Sequence, residues 1–298
     1  MEIRHLKPMF DLGNLGLLPF SPRDEESIRE SVEQSDVVIN LIGKHYETKH
    51  LVPTRRADGS LSRVNYGYDE VHVDIARRIA RISKEAGVDT FIQMSSLSAN
   101  HDSESKWSRT KAAGEDAVRE EFPDAIIVKP ATIFGAEDRF LNAMGEMNDR
   151  LKVFPLVNDG ETLTQPVYAI DVGKALFNIV QNHKQFKGDT FQLCGPAEYS
   201  YREIVEFVQD VTTVNTPIVA VPEKWPMLVG KFLDQTISPM LTEDQVVQLK
   251  EDCVQIEGTD MKTFADLGIE PSSMDKYAFE QLHRFRPGGH FTMVSGYH

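Results

Sequence analysis

Three short apolar runs separated by two long amphipathic stretches constrain this chain more than any other feature. The runs are Val37-Val38-Ile39-Asn40-Leu41-Ile42-Gly43, Thr90-Phe91-Ile92-Gln93-Met94-Ser95-Ser96 and Ala125-Ile126-Ile127-Val128-Lys129. The first is continuous and ends in glycine, which suits a strand buried on both faces. Between the runs, Tyr68 to Ala86 reads as a helix. Val71, Ile75, Ile79 and Ile82 form one face, and Arg77, Arg78, Arg81 and Lys84 the other. Gly87 is a C-cap candidate. Lys106 to Glu121 reads as the second helix, and Pro130 is expected to stop the third strand. Strands joined by helical crossovers of this length predict an α/β chain with a doubly wound parallel sheet.

The flanking regions are less regular. Ser21-Pro22-Arg23-Asp24-Glu25-Glu26 is rich in helix-start residues, with Ile28 and Val32 on one face of the helix that follows. Residues 44–67, with Pro53, Gly59, Asn65 and Gly67, are expected to form a long loop, with Arg55-Arg56 solvated on it or marking an insertion. Beyond Pro130 the pattern predicts a strand over Gln165–Ile170, a helix capped by Asp171, and a strand over Asp189–Leu193. It then predicts a helix from Ser200, a strand over Pro217–Val221 and a helix capped at Thr242-Glu243-Asp244. The expected organisation is a first domain over 1–165 and an interleaved strand with a small mixed α/β lobe over 166–298.

Several function classes are excluded or disfavoured. Acidic residues exceed basic ones, 46 to 32, and a net charge of −14 argues against a nucleic-acid partner. Two cysteines, Cys194 and Cys253, cannot build a disulfide scaffold or a four-cysteine zinc site, and read as buried free thiols. No apolar run approaches the ~18 residues of a spanning helix. The histidines show no metal spacing, and no nucleophile elbow, P-loop or catalytic carboxylate pair is present.

The strand ends then line up as a series: Asn40-Leu41-Ile42-Gly43, Met94-Ser95-Ser96, a lysine at 111 on the following helix, and Lys129-Pro130-Ala131. The series resembles the extended and atypical short-chain dehydrogenase/reductases, which have a Rossmann core. Further segments sharpen the likeness. They are His5 to Gly13, Val38 to Gly43, Ser83 to Val88, Phe122 to Pro130, Phe134 to Asn142 and Gln165 to Tyr168. Together they resemble the family of NADPH-binding accessory subunits of mitochondrial complex I. The match is clear over residues 4–200 and looser to about 285.

That resemblance implies a non-catalytic subunit of an NADH:ubiquinone oxidoreductase, on the matrix side of the mitochondrial inner membrane. Its partners would be other complex I subunits, and its bound NADPH would support assembly or stability. By the same correspondence, the glycine-rich strand–turn–helix that anchors a dinucleotide diphosphate is not in this sequence. Gly13-Asn14-Leu15-Gly16 is no substitute, since no apolar strand precedes it. The expectation is an N-terminally incomplete sequence whose Rossmann-like sheet lacks its first strand, helix and second strand, with the presequence lost as well.

Dehydrogenases of this superfamily use Tyr-x-x-x-Lys, one helical turn apart, as a proton relay. Here the segment is Trp107-Ser108-Arg109-Thr110-Lys111. An indole N–H donates a hydrogen bond but has no usable acid–base pKa, so no catalytic residue is expected. The resemblance implies a ribose contact for Lys111 and a place beside the nicotinamide for Ser95, Pro130, Ala131 and Thr132. Asn40, Leu41, Ile42 and Gly43 would border the adenosine, and Asp24 would touch adenine or simply cap its helix. Two alternatives stand beside this reading. One is a catalytic NADP-dependent reductase or epimerase of the superfamily; the other is a nucleotide-free assembly scaffold. The apolar stretch from Pro222 to Leu241 is either a contact to a membrane-arm subunit or the bilayer, or a lid on the core.

Overall fold

The computed structural model describes residues 9–11, 13–47, 52–55, 61–222, 224–233 and 241–287. Its first half holds α1 (Glu25–Val32), β1 (Val37–Asn40), β2 (Val52–Arg55), β3 (Leu61–Val64), α2 (Ile75–Glu85), β4 (Thr90–Met94), α3 (Lys106–Glu121) and β5 (Ile126–Pro130). The second half opens with β6 (Ile133–Phe134), α4 (Leu141–Arg150), β7 (Phe154–Val157), β8 (Leu163–Thr164), β9 (Val167–Tyr168) and α5 (Ala169–Gln181). It continues with β10 (Thr190–Leu193), β11 (Tyr199–Ser200), α6 (Tyr201–Thr212), β12 (Ile218–Val221), α7 (Lys224–Leu233), α8 (Glu243–Gln248) and α9 (Met274–Leu282).

The main sheet has the order β1-β4-β5-β10, and every pairing in it is parallel. Alternate residues of its strands feed two cores. Phe91 and Ile127 pack with Ile28, Ile75, Ile79 and Ile82 of α1 and α2. Ile92, Ile126 and Val128 pack on the other face with Val172, Ala175 and Ile179 of α5. Burial on both faces is why β4 and β5 read as continuous apolar runs, whereas β1, expected to be buried on both faces, is an edge strand that leaves Ile39 38% exposed. Each such side chain contributes roughly 1.5–3 kcal/mol when fully withdrawn from water. The chain re-enters this sheet with β10 after the 166 boundary, so the first core draws on both halves of the sequence.

A smaller lobe packs beside the sheet. Phe134 and Leu141 meet Ile204 and Val208 of α6 and Met274, Ala278 and Leu282 of α9. Short pairings tie the lobe together: β7 with β12, β8 with β11 and β6 with β9.

Four local expectations are corrected. The loop expected over residues 44–67 contains an antiparallel hairpin, β2 with β3, registering Val52 opposite Val64. The overlooked signal is Asp58-Gly59 between residues of strand propensity, although 56–60 lie outside the described residues. The helix expected over Tyr68 to Ala86 contains a π-helical stretch, Glu70–Asp74, before α2. Pro130 does not stop β5 but is its last residue, opposite Leu193, where its missing N–H interrupts no ladder. Asp171 does not cap α5; it lies in the first turn, fully buried, accepting from the Ser272 amide at 2.7 Å and from Lys174 Nζ at 2.8 Å. Tyr168 occupies the N-cap position instead, and the Asp171 carboxylate is drawn to the α9 side by that amide.

Candidate nucleotide site at the sheet edge

The carboxyl ends of β1, β4 and β5 carry Asn40–Gly43, Ser95 and Pro130–Thr132, and α3 runs alongside them. In open parallel sheets this edge is where ligands bind. Lys111 reaches it from α3, close enough that a Cβ at Gly43 would lie 3.3 Å from Lys111 Nζ. The ammonium also sits 5.6 Å from the centre of the Trp107 ring. Burial pushes the Lys111 pKa down to about 8, partly opposed by the nearby Glu115 carboxylate.

Trp107 is held in place as a strut. Its indole Nε1 donates to the Lys44 carbonyl at 2.8 Å. The Lys44 amide in turn donates to His72 Nε2 at 3.2 Å. His72 Nδ1 meets Thr110 Oγ1 at 2.9 Å, and Thr110 donates to the Trp107 carbonyl at 3.0 Å. These donor directions go with the neutral imidazole protonated on Nδ1; the other neutral tautomer would donate from Nε2 to the Lys44 carbonyl, also at 3.2 Å. Burial, and then the Lys111 charge, hold the His72 pKa down to about 3. His72 is therefore neutral at ordinary pH and bonded to the Lys44 backbone in either tautomer. The π-helical stretch presents it to α3 at Gly114, where any Cβ would collide with the His72 carbonyl.

Behind Lys111 lies a charged cluster. Ser95 Oγ donates to Glu115, and Lys129 Nζ pairs with the other Glu115 oxygen at 3.1 Å. Lys129 and Glu115 side chains are only 12% and 14% exposed. The Ser95 hydroxyl is thus directed to Glu115. Glu115 and His72 escape sequence reasoning, because a lone acid on a polar helix and a lone histidine on an apolar face carry no pattern. Glu115 does lie four residues after Lys111, which places the two on one helical face.

The remaining sequence-predicted residues occupy varied positions. The Asn40 side chain is buried and engaged at both ends, with Gln93 Oε1 at 2.8 Å and the Ile42 amide at 3.0 Å. It braces the strand end. Leu41 is exposed, and Ile42 packs on the core. Pro130 and Ala131 are buried, and Thr132 Oγ1 meets Thr164 Oγ1 at 2.9 Å. Asp24 is an N-cap, accepting from the Glu26 amide at 3.3 Å. Ser108 is buried, with its Oγ 3.5 Å from Glu251. Cys194 and Cys253 are free and buried, and burial raises the Cys194 pKa to about 12. Among the described residues no cluster suits a metal ion.

The arrangement places a buried ammonium, Lys111, beside an indole, Trp107, with no titrating hydroxyl at position 107. Residues 98–249 match the family model described as RmlD substrate binding domain. The dTDP-glucose 4,6-dehydratase of Bacillus anthracis, solved in complex with NAD, shares the fold at a TM-score of 0.64 and 13% identity, covering 94% of this chain and 82% of that one. The Neurospora crassa NADH-ubiquinone oxidoreductase 40 kDa subunit is 34% identical over 97% of this chain and 72% of its own length. The mitochondrial NADH dehydrogenase [ubiquinone] 1 alpha subcomplex subunit 9 of Mus musculus is 38% identical over 96% of this chain and 71% of its own length. At that identity and coverage, with the Rossmann-like parallel sheet described above, the chain belongs to the family of NADH dehydrogenase [ubiquinone] 1 alpha subcomplex subunit 9.

Proposed function

We propose that this chain is a non-catalytic accessory subunit of mitochondrial respiratory complex I that supports assembly through a bound NADP(H)-type nucleotide. One observation carries the reading. Trp107 stands where the superfamily places its acid–base tyrosine and spends its N–H on the Lys44 carbonyl, while Lys111 stays beside it. Binding chemistry is kept and the proton relay is lost.

The residues present suit the ribose and nicotinamide end of a dinucleotide. Lys111 would hold ribose oxygens. Gly43 leaves room for backbone to approach a ligand, and Pro130, Ala131 and Thr132 would flank the nicotinamide. Asn40, Leu41 and Ile42 would shape the adenosine side, with Asp24 at its margin. A nucleotide bound only by the folded form adds RT ln(1 + [L]/Kd) to stability, so it can act as a staple without turnover. In this reading residues 1–165 serve the nucleotide and 166–298 serve contacts. The subunit would sit on the matrix side of the inner membrane among other complex I subunits. Its exposed Trp225, Leu228 and Val229 on α7 would face a membrane-arm partner or the bilayer interface. Among the described residues no helix is long and apolar enough to cross a membrane.

A second reading, a nucleotide-free scaffold, is favoured by Asn40 and Ser95, whose polar atoms are spent on Gln93 and Glu115. The test is to purify the assembled complex, identify this chain by its peptides, denature the complex and analyse released nucleotide. Stoichiometric NADP(H) is expected. Its absence would favour the scaffold, and ketone or nucleotide-sugar reduction by the purified protein would overturn the non-catalytic reading.

A further inference from the structure

The N-terminus of α3 is held from the far end of the sequence. Asp244 of α8 accepts from the Lys106 amide at 2.6 Å, the Trp107 amide at 3.1 Å and Ser105 Oγ at 2.9 Å. Ser105 is itself the N-cap of α3, donating to Asp244 while accepting from the Ser108 amide. Glu251 adds a bond from Ser103 Oγ at 2.5 Å, and Lys250 pairs with Glu104 at 3.1 Å. Two otherwise orphaned helix amides therefore find their acceptor across 137 or more residues of chain. One of them belongs to Trp107.

The same α8 is packed tightly on α7. A Cβ at Gly230 would fall 2.9 Å from the Glu243 amide nitrogen and the Thr242 carbonyl carbon. Thr242 and Gln245 form a capping box that makes α8 a defined unit despite its length. Outward, α7 exposes Trp225, Leu228 and Val229. A continuous set of contacts thus runs from an apolar surface through Gly230 and Asp244 to Trp107 and Lys111.

We infer that Asp244 is a positioning residue for the candidate nucleotide pocket, and that the α7–α8 pair transmits to it any contact made at the α7 surface. This rests on the pocket reading above only for its nucleotide consequence. The geometric part concerns Trp107 alone. Asp244 orients the first turn of α3, and Trp107 then carries that orientation to the Lys44 carbonyl and to the ring beside the Lys111 ammonium.

The chain has two tryptophans, so Trp225→Phe leaves Trp107 as the sole indole emitter. In that background Asp244→Ala is expected to red-shift Trp107 emission by several nanometres and raise acrylamide quenching several-fold. Asp244→Asn, whose single amide oxygen can replace only one of the two accepting carboxylate oxygens, is expected to give a value between those of the parent and Asp244→Ala. Gly230→Val, which forces α7 from α8, is expected to move the readout in the direction of Asp244→Ala. An unchanged Trp107 signal in a folded Asp244→Ala protein would overturn the positioning role. A silent Gly230→Val would overturn the transmission. If Asp244→Ala does not fold, hydrogen exchange at the Lys106 and Trp107 amides of the unaltered chain decides. First-turn amides lack an intrahelical partner, so protection there supports the Asp244 bonds and free exchange overturns them. A parallel NADPH titration is expected to weaken several-fold in Asp244→Ala. No NADPH binding by the parent chain would count against the pocket reading, while the Trp107 fluorescence would still decide the positioning role.

Discussion

The Trp107 indole donates to the Lys44 carbonyl, and the Lys44 amide donates to His72, so one residue of the β1 exit is held from two helices at once. Trp107 is a structural tie between α3 and the strand end. Trp107→Phe keeps the ring and removes the N–H, and should cost about 1–2 kcal/mol in denaturant unfolding. Trp107→Tyr should not restore dehydrogenase turnover with NADP(H) in a ketone-reduction assay.

His72 makes stability pH-dependent. Its folded pKa, about 3, lies below the ~6.5 of an unfolded histidine. The unfolded chain therefore takes up the proton first as pH falls. The contribution is complete above about 6.5 and is lost as pH drops toward 3, with a slope near 1.4 kcal/mol per pH unit for one proton. His72→Gln keeps an acceptor for the Lys44 amide but does not titrate. Its unfolding free energy, measured from pH 7 to 5, should fall less steeply than that of the parent.

Glu115 and Lys129 form a nearly buried pair, whereas the Arg77–Glu120 pair is 43% and 65% exposed. Removing one buried partner leaves an uncompensated charge, so Glu115→Ala should cost about 3 kcal/mol or more. Glu120→Ala should cost under about 1 kcal/mol. Glu115→Gln combined with Lys129→Met should recover much of the loss, as urea titrations of the variants would show.

Gly114 and Gly173 are both helical glycines with opposite surroundings. A Cβ at Gly114 meets the His72 carbonyl, while nothing lies within 4 Å of one at Gly173. Gly114→Ala should destabilise by about 1–3 kcal/mol through overpacking. Gly173→Ala should be neutral or stabilising by up to about 1 kcal/mol, since helix propensity is then the only change. Thermal melts of the two variants separate these outcomes.

Cys194 should be inert in the folded protein, because burial raises its pKa to about 12 and leaves almost no thiolate at pH 8. Iodoacetamide at pH 8 should leave it unmodified in native protein and label it after denaturation, by peptide mass.

Local pattern suffices where one residue's surroundings repeat along the chain. The boundaries of α3 follow from Ser105 and Lys106 at its start and the apolar run after Phe122. The buried strands follow from their apolar content, because burial on both faces removes alternation. The hairpin at β2 and β3 is hidden because Pro53 and Gly59 look like breakers, whereas Asp58-Gly59 is a turn signal between strands. Asp171 looks like a cap because its distant partner, Ser272, has no trace in local sequence.

By itself the sequence determined the parallel sheet and the family, since each depends on residue identity and short-range periodicity. Only the tertiary structure decided that Asn40 is spent on Gln93, that Ser95 turns to Glu115, and that His72 is neutral. It alone set Asp244 beneath the first turn of α3. Those outcomes depend on donors and acceptors brought together from across the chain, and on burial that shifts charge. Neither quantity exists until the chain has folded.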